Sequence, residues 1–282
     1  MLLINQIKDK AKELLESGSV ECVIGYERAS ASAGAKPCFA YQPRDVERFI
    51  FDETCTNNLA TYLRGRKGRN TAVLVKPYDS RAVNLLLNEK QIEREDIFIL
   101  GLVCHEDFRM NANTSSRGSS PGLLSIPVIY DVLIGESPEV KTSDGDTYLD
   151  VAEIESKSPE ERREFWKKEF SRCIRCYACR QVCPGCYCTE CFVEQLDPLW
   201  VGIRIAPGEN EVWNTIRAFH LGGRCIGCNE CERVCPMNIP LSLLNRKLEK
   251  QTLEFFDYQA GMNAETVLPF ATFKKDEHLG IG

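Results

Sequence analysis

The chain has 282 residues, of which 43% are hydrophobic and 27% charged, and its formal net charge is −6. This composition is typical of globular proteins and excludes wholesale disorder, and the acidic balance without a long basic run argues against a nucleic-acid binder. No window approaches about eighteen consecutive apolar residues, so we expect no membrane span.

The amino-terminal sequence and the cysteine content together indicate the redox environment. The first residues, MLLINQIKDKAKELLESGSVE, carry charges from Lys8 onward and lack the apolar core of a signal peptide. We therefore expect a cytoplasmic protein. Cysteines rarely form disulfides in a reducing cytoplasm, so the fifteen cysteines need another purpose, and metal binding is the leading one.

The first hundred residues alternate between helical and strand patterns. Residues 5–16 have apolar side chains at helical spacing, and short apolar runs at 20–26, 71–77 and 96–104 are typical of buried strands. The segment from residue 80 to 96 predicts a helix capped by Asp79 or Ser80. A strand, a crossover helix and a second strand form a βαβ unit, which predicts an α/β domain with a parallel sheet.

A second domain is predicted to begin near residue 156. Polar segments rich in glycine and serine occupy residues 111–122 and 141–146. A helix then opens at Ser158 and Glu161, which match a capping box with proline at the first helical position. We therefore divide the chain into an α/β domain, residues 1–155, and a mainly α-helical domain, residues 156–282.

Two cysteine runs of identical spacing lie in the second domain. Both follow the pattern C-x2-C-x2-C-x3-C-P of ferredoxin-type proteins that bind 4Fe–4S clusters. The first run is Cys173, Cys176, Cys179 and Cys183, and the second is Cys225, Cys228, Cys231 and Cys235. A tight turn brings three thiolates to three corners of a cubane, and the fourth corner needs a ligand from elsewhere.

In proteins with two clusters, the last cysteine of each run crosses to the other cluster. We therefore predict one cluster on Cys173, Cys176, Cys179 and Cys235. We predict the other on Cys225, Cys228, Cys231 and Cys183. Two zinc sites are the alternative, but they would use pairs of C-x2-C rather than repeated triplets followed by cysteine and proline.

The segments that flank the runs predict helices. Residues 211–223 carry Val212, Ile216 and Phe219 on one side and end in glycines, and residues 240–256 form a second helix that starts at a proline. With the two runs, these helices resemble the α-helical ferredoxin module of succinate dehydrogenase iron–sulfur subunits and heterodisulfide reductase subunits. The resemblance implies a mainly α-helical ferredoxin-type domain that holds two 4Fe–4S clusters.

Three further cysteines follow the first run. Cys186, Cys188 and Cys191 have C-x-C-x2-C spacing, which could supply three corners of a third cluster or three ligands of a zinc ion. The missing ligand would come from a distant part of the sequence. The candidates are Cys38, Cys55 and Cys104, and we favour Cys104. The alternative is that these thiols are buried as small hydrophobic side chains.

Basic residues surround the runs. Arg172, Arg175 and Arg180 flank the first run, and Arg224 precedes the second. Positive charge near a cluster stabilises its reduced form and raises its potential. Solvated side chains on a docking face are an equally good interpretation.

The amino-terminal sequence carries a second resemblance, through ESGSVECVIGY, the segment from residue 71 to 108 and its strand end GLVC at 101–104. These segments resemble the coenzyme-deazaflavin hydrogenase/dehydrogenase beta-subunit family. Members often have a Gly-Thr-Pro-Cys turn where this sequence has Lys-Pro-Tyr-Asp at 76–79. The resemblance implies FAD binding and electron transfer between flavin, iron–sulfur clusters and a deazaflavin.

Two functions follow from these patterns. The first is an iron–sulfur electron-transfer subunit of a multisubunit cytoplasmic oxidoreductase of the heterodisulfide-reductase-like, formate dehydrogenase or hydrogenase type, without catalytic residues of its own. Its partners would be a heterodisulfide-reductase-like flavoprotein or a dehydrogenase or hydrogenase subunit. The alternative is an FAD-containing oxidoreductase that exchanges hydride with a deazaflavin or nicotinamide coenzyme.

Overall fold

A five-stranded sheet organises the amino-terminal part of the chain in the computed structural model, which describes residues 2–30, 34–103, 130–135 and 148–271. The strands run in the order β2-β1-β3-β4-β5. Their bounds are β1 (Cys22–Arg28), β2 (Ala35–Ala40), β3 (Thr71–Val75), β4 (Ile97–Leu102) and β5 (Val132–Ile134). The pairs β1–β3, β3–β4 and β4–β5 are parallel, which confirms the α/β prediction for this part.

The central strand β3 is buried on both faces. All five of its residues, TAVLV, are buried, and it pairs with β1 at Val23–Ala72 and with β4 at Val73–Ile99. Continuous apolar strands of this kind are typical of parallel sheets that are covered on both faces. The hydrophobic core of the amino-terminal part therefore forms around β1, β3 and β4.

The edge strand β2 is antiparallel to β1, so the sheet is mixed and not wholly parallel. The sequence analysis did not predict this strand because Pro37 interrupts its apolar pattern. Proline lacks the amide that a central strand needs, but an edge strand has one side without a ladder partner. Pro37 pairs with Tyr26 of β1 and occupies such an edge.

Helices cover the sheet and build the carboxyl-terminal part. Their bounds are α1 (Leu2–Glu16), α2 (Ser80–Asn88), α3 (Leu149–Glu155), α4 (Pro159–Ser171), α5 (Ala178–Gln181), α6 (Pro207–His220), α7 (Glu230–Arg233) and α8 (Leu241–Phe256). Short 3-10 helices occupy Pro43–Arg48, Leu59–Leu63, Pro77–Asp79 and Arg94–Asp96. The division into two domains stays a prediction, and we describe the parts by their residues.

The helix predicted for residues 80–96 is shorter than expected. It ends at Asn88, and Lys90 adopts a left-handed φ of 55° that turns the chain. Asp79 precedes α2, but its carboxylate lies 3.1 Å from the Nζ of the buried Lys76 and makes no cap hydrogen bond to the helix. The buried ion pair therefore determines the position of this carboxylate.

The capping box predicted at α4 is confirmed. The Glu161 amide donates to Ser158 Oγ at 3.2 Å, and the Ser158 amide donates to Glu161 Oε2 at 2.8 Å. Trp166 and Phe170 stack on the same helix with ring centroids 5.3 Å apart. The cap and the aromatic side chains fix the helix that leads into the first cysteine run.

The buried face of α6 differs from the prediction. The expected apolar face is largely outside the core, with Val212 40% and Phe219 68% exposed. The side chains that α6 buries are instead mostly polar. They are Asn210, Trp213, Asn214, Arg217 and Ala218. A polar helix face toward the interior needs polar or charged partners there, and the cysteine runs lie on that side.

Polar contacts join the sheet to the carboxyl-terminal part. Arg81 of α2 donates to the carbonyl of Ala260 at 2.9 Å and pairs with Glu249 of α8 at 2.8 Å. The chain passes close to α2 at Gly261, where φ is +74° and a Cβ would lie 2.1 Å from the carbonyl oxygen of Arg81. Only glycine satisfies this backbone conformation and this close approach.

None of the helices in the described ranges is both long and apolar enough to cross a bilayer.

The Arg81–Glu249 pair gives a test of this junction. Both side chains are almost fully buried, at 1% and 2% exposure. Breaking a buried pair leaves an uncompensated charge, so we expect Glu249→Gln to lower the free energy of unfolding by about 3–5 kcal/mol. The measurement is urea unfolding followed by circular dichroism on anaerobic protein.

The matched control is Glu164→Gln. Glu164 makes the same kind of ion pair with Lys167, but both side chains are more than 60% exposed. Exposed pairs contribute little to stability, so we expect no measurable change. Equal effects of the two substitutions would show that the buried pair does not hold the junction.

Candidate metal centre

The two cysteine runs share one backbone conformation. The residues on either side of the second cysteine are left-handed in both runs, with φ of 47° and 58° at Arg175 and Tyr177 and 66° and 59° at Gly227 and Asn229. A four-residue helix follows in each run, α5 after Tyr177 and α7 after Asn229. The same spacing has therefore produced the same turn twice.

Each turn closes around a cavity. The first-run cavity is lined by Cys173, Cys176, Cys179 and Cys235. The second-run cavity is lined by Cys225, Cys228, Cys231 and Cys183. Each cavity receives three cysteines from one run and the last cysteine of the other. These are the two groups of four that the sequence predicts as ligands; their role as ligands stays a prediction.

The donor set fits a polynuclear cluster better than a single ion. Nowhere in the described part of the chain do three histidine, cysteine or acidic side chains converge closely enough to hold one metal ion. A zinc ion would need its thiolates about 2.3 Å away, whereas a cubane takes one thiolate at each of four separate iron corners. Four cysteines spread around a cavity match the second geometry.

Amide groups point at the cysteine sulfurs in both runs. The amide of Arg175 donates to Cys173 Sγ at 3.4 Å, and the amide of Gly227 donates to Cys225 in the equivalent place. In the second-run cavity the side chain of Asn245 on α8 adds a hydrogen bond to Cys231 Sγ at 3.7 Å. Hydrogen bonds to the sulfurs raise the reduction potential of a bound cluster.

Burial determines the protonation of the free thiols. It raises the pKa of Cys179 to about 11 and that of Cys225 to about 12. Cys183 differs, because a hydrogen bond with the Cys186 thiol lowers its pKa to about 6 despite burial. Without a metal, Cys179 and Cys225 are protonated at neutral pH, so ligation of a metal would release protons.

The sheet side of the molecule positions Cys183. Arg64 donates to the carbonyls of Cys183 at 3.3 Å and Gln181 at 3.2 Å, and also to the carbonyl of Cys186. Thr61 adds a hydrogen bond of 3.0 Å to the carbonyl of Val182. These contacts fix the loop that carries the cysteine of the second-run cavity. Sequence reasoning missed Arg64, because nothing near it in the sequence points to a cluster.

The predicted third site stays a prediction. Cys186 lies beside Cys183, Cys188 is exposed, and the amide of Cys191 donates to Glu194 at 3.0 Å. Cys104, the favoured fourth ligand, lies outside the described residues.

The other two candidates, Cys38 and Cys55, lie in the core of the sheet. Burial and a hydrogen bond with Glu27 raise the pKa of Cys38 to about 12. Burial raises the pKa of Cys55 to about 11, and its thiol faces the carbonyl of Ile50. Both residues have the surroundings of small core side chains.

The arginines expected to influence the clusters are already engaged in the protein. Arg172 pairs with Glu169, and Arg180 pairs with Glu194 at 2.6 Å. Arg175 donates to the carbonyls of residues 202–204. Arg224 pairs with Glu89 at 2.8 Å.

The cation that faces thiols of both cavities is instead Arg217, which sequence reasoning missed. Its helical spacing from Trp213 and Leu221 is the signal that could have identified it.

Comparisons with known proteins place this chain near formate dehydrogenase subunits. No protein-family model matches it. A segment of 100 residues is 37% identical to the F420-dependent formate dehydrogenase subunit beta of Methanocaldococcus jannaschii, and it covers 36% of this chain and 26% of that protein. A segment of 102 residues is 34% identical to the F420-dependent formate dehydrogenase 1 subunit beta of Methanococcus maripaludis, with the same coverage.

The chain is related to oxidoreductase subunits. The matched segment spans only about a quarter of the length of these two relatives. The likeness therefore supports the general class of an oxidoreductase subunit.

Crossing of the fourth cysteine can be tested by serine substitutions. We expect Cys183→Ser to disturb the same cluster as Cys225→Ser, because both cysteines line the second-run cavity. Cys235→Ser should match Cys173→Ser for the same reason. The measurement is the EPR spectrum of each reduced variant together with its iron content. If Cys183→Ser instead matched Cys173→Ser, the crossed assignment would be wrong.

Thiol labelling tests the cysteines of the sheet core. Only the thiolate reacts with iodoacetamide, so a raised pKa keeps a thiol inert until the pH approaches that value. We expect Cys38 to stay unlabelled in native protein from pH 7 to pH 10, since its pKa is about 12 and its side chain is buried. The control is Cys38 itself in urea-unfolded protein, where the thiol is accessible and should react over the same pH range. Mass spectrometry of the digest reports both, and rapid labelling of Cys38 at pH 8 would refute the assignment.

Proposed function

We propose that this chain is an iron–sulfur electron-transfer subunit of a multisubunit oxidoreductase and relays single electrons between the redox centres of its partners. The observation that carries the proposal is the pair of similar cavities, each lined by four cysteines from the two runs. The relationship to subunits named formate dehydrogenase supports the oxidoreductase class.

The residues around the cavities perform distinct tasks in this proposal. Bound 4Fe–4S clusters would supply one-electron redox chemistry. The eight cysteines would hold them, and the amides of Arg175 and Gly227 would neutralise part of the sulfur charge. Trp213, Ile239 and Leu241 line the first-run cavity and would limit the access of water to a cluster bound there.

The partners in this proposal are other oxidoreductase subunits. Both relatives are named as beta subunits of a formate dehydrogenase, and such a name implies further subunits. A formate dehydrogenase or hydrogenase subunit, or a heterodisulfide-reductase-like flavoprotein, would donate or accept the electrons. In this proposal the cysteine-rich part binds no organic substrate.

A second candidate function is an FAD-containing oxidoreductase that exchanges hydride with a deazaflavin or nicotinamide coenzyme. The observation that favours it is that both relatives are named F420-dependent. Flavin accepts a hydride and passes electrons on singly, so this function would use the same clusters. The two candidates differ in whether flavin is bound to this chain.

Metal and flavin analysis of anaerobically purified protein tests both candidates. We expect a brown protein with about eight irons and eight acid-labile sulfides per chain, or about twelve if a third cluster binds. Reduction by dithionite should bleach the visible absorption, and a one-electron acceptor such as benzyl viologen should restore it. Acid extraction should release no flavin under the first function, whereas about one FAD per chain would establish the second.

Two variants make this test specific. Cys225→Ser removes a cysteine of the second-run cavity and should lower the iron content by about four atoms. Cys38→Ser changes a cysteine of the sheet core and should leave the iron content unchanged. A colourless wild-type protein without iron would refute the proposed function.

A further inference from the structure

Arg217 lies between the two cavities on α6. Trp213 and Asn214, about one turn before it, line the first-run cavity, and Leu221, one turn after it, lines the second-run cavity. Residues three and four positions apart share a helix face. The helix face that carries Arg217 therefore extends from one cavity to the other.

The guanidinium of Arg217 is buried without an acidic partner. The residue is 4% exposed, and its Nη2 donates to the carbonyl of Cys179 at 3.0 Å. Its Nε has no hydrogen-bond partner, and no carboxylate among the described residues forms an ion pair with it. A buried cation is unfavourable unless a negative charge compensates it.

Four other arginines near the cysteine-rich part have such compensation. Each of the four forms an ion pair with a carboxylate that is at least half-buried. The pairs are Arg81–Glu249, Arg224–Glu89, Arg233–Glu230 and Arg246–Asp150. Arg217 differs from these four in lacking a carboxylate, and its counter-charge has to come from another kind of group.

Cysteine sulfurs are the groups that face it. Burial lowers the pKa of the Arg217 guanidinium, but its interaction with cysteine sulfurs of both runs raises it, and the net shift is upward. The cysteines are Cys186, Cys183, Cys179 and Cys231. Cys179 lines the first-run cavity, whereas Cys183 and Cys231 line the second. The charge of Arg217 is therefore felt at both sites.

We propose that Arg217 is a shared counter-charge for the two cysteine sites and holds the reduction potentials of both clusters above the values they would otherwise have. This inference rests on the proposed function. A cubane held by four thiolates is anionic, and reduction adds a further negative charge. A buried cation stabilises the reduced form more than the oxidised form and so raises the potential, and local charge is one of the factors that determine cluster potentials.

The test is an EPR-monitored redox titration of Arg217→Gln, performed on anaerobic protein whose iron content is known. Glutamine keeps a hydrogen-bond donor and removes the charge. We expect both midpoint potentials to fall, each by about a tenfold change in the ratio of reduced to oxidised cluster at a fixed applied potential, or about 59 mV for one electron.

Arg180→Gln is the matched control. Arg180 also lies beside Cys179 in sequence, but Glu194 neutralises it through two hydrogen bonds of 2.6 and 2.9 Å. The same loss of charge there should leave both potentials close to the wild-type values. Arg217→Lys, which keeps the positive charge, should also remain close to wild type.

The outcomes separate this inference from the proposed function. Wild-type protein without iron would refute the function. Protein in which wild type and Arg217→Gln both hold eight irons, with neither or only one potential lowered, would refute the shared role of Arg217 alone. If Arg217→Gln loses its iron, the potentials of Arg217→Lys test the inference instead. Potentials equal to those of the wild type would support the role of the positive charge, and lowered potentials would overturn it.

Discussion

The cysteine-rich part depends on a geometric constraint on the chain. A turn with left-handed residues on both sides of its second cysteine directs three cysteines into one cavity, and the fourth leaves in another direction. Cys183 therefore lines the cavity of the second run and Cys235 that of the first. Neither site is complete without the other, so the two turns have to pack together. This mutual dependence explains why α5 and α7 are in contact, with α8 packed against α7.

The placement of polar and charged side chains around the cysteine runs follows from the same constraint. The buried face of α6 carries polar side chains because carbonyl oxygens of the first run lie opposite it: Asn210 donates to Cys173 and Arg217 to Cys179. Arg81, at the junction with the sheet, is neutralised by the carboxylate of Glu249. Arg217 has no carboxylate partner and faces cysteine sulfurs instead. These two buried arginines therefore differ in their surroundings: Arg81 joins two parts of the chain, and Arg217 lies among the cysteines of both runs.

The sequence predicted those features that depend on local pattern. The spacing of the two runs predicted the two groups of four cysteines that the structure brings together, and the apolar runs predicted β1, β3 and β4. It did not predict β2, because Pro37 interrupts the apolar pattern of this edge strand. It did not predict the buried face of α6 either, because a search for hydrophobic periodicity assumes that a buried helix face is apolar. Arg64 could not be identified, because it contacts residues far away in sequence, and Arg217 left only its helical spacing from Trp213 and Leu221 as a signal. Long-range polar contacts leave little trace in a single sequence.

The cysteines around the two cavities differ in exposure, and this difference would matter for an electron carrier. Cys176 of the first-run cavity is exposed, whereas none of the four cysteines around the second-run cavity is exposed. The second-run cavity lies against the side of the sheet, where Ile226 and Cys228 pack on the sheet core and Asn57 binds Arg233. A partner that docks on the surface therefore approaches a centre in the first-run cavity more closely. Under the proposed function, electrons would enter or leave through a cluster in the first-run cavity. Arg217, as a counter-charge of both sites, would keep the reduction potential of the cluster in the second-run cavity close enough to that of the first for electrons to pass between them.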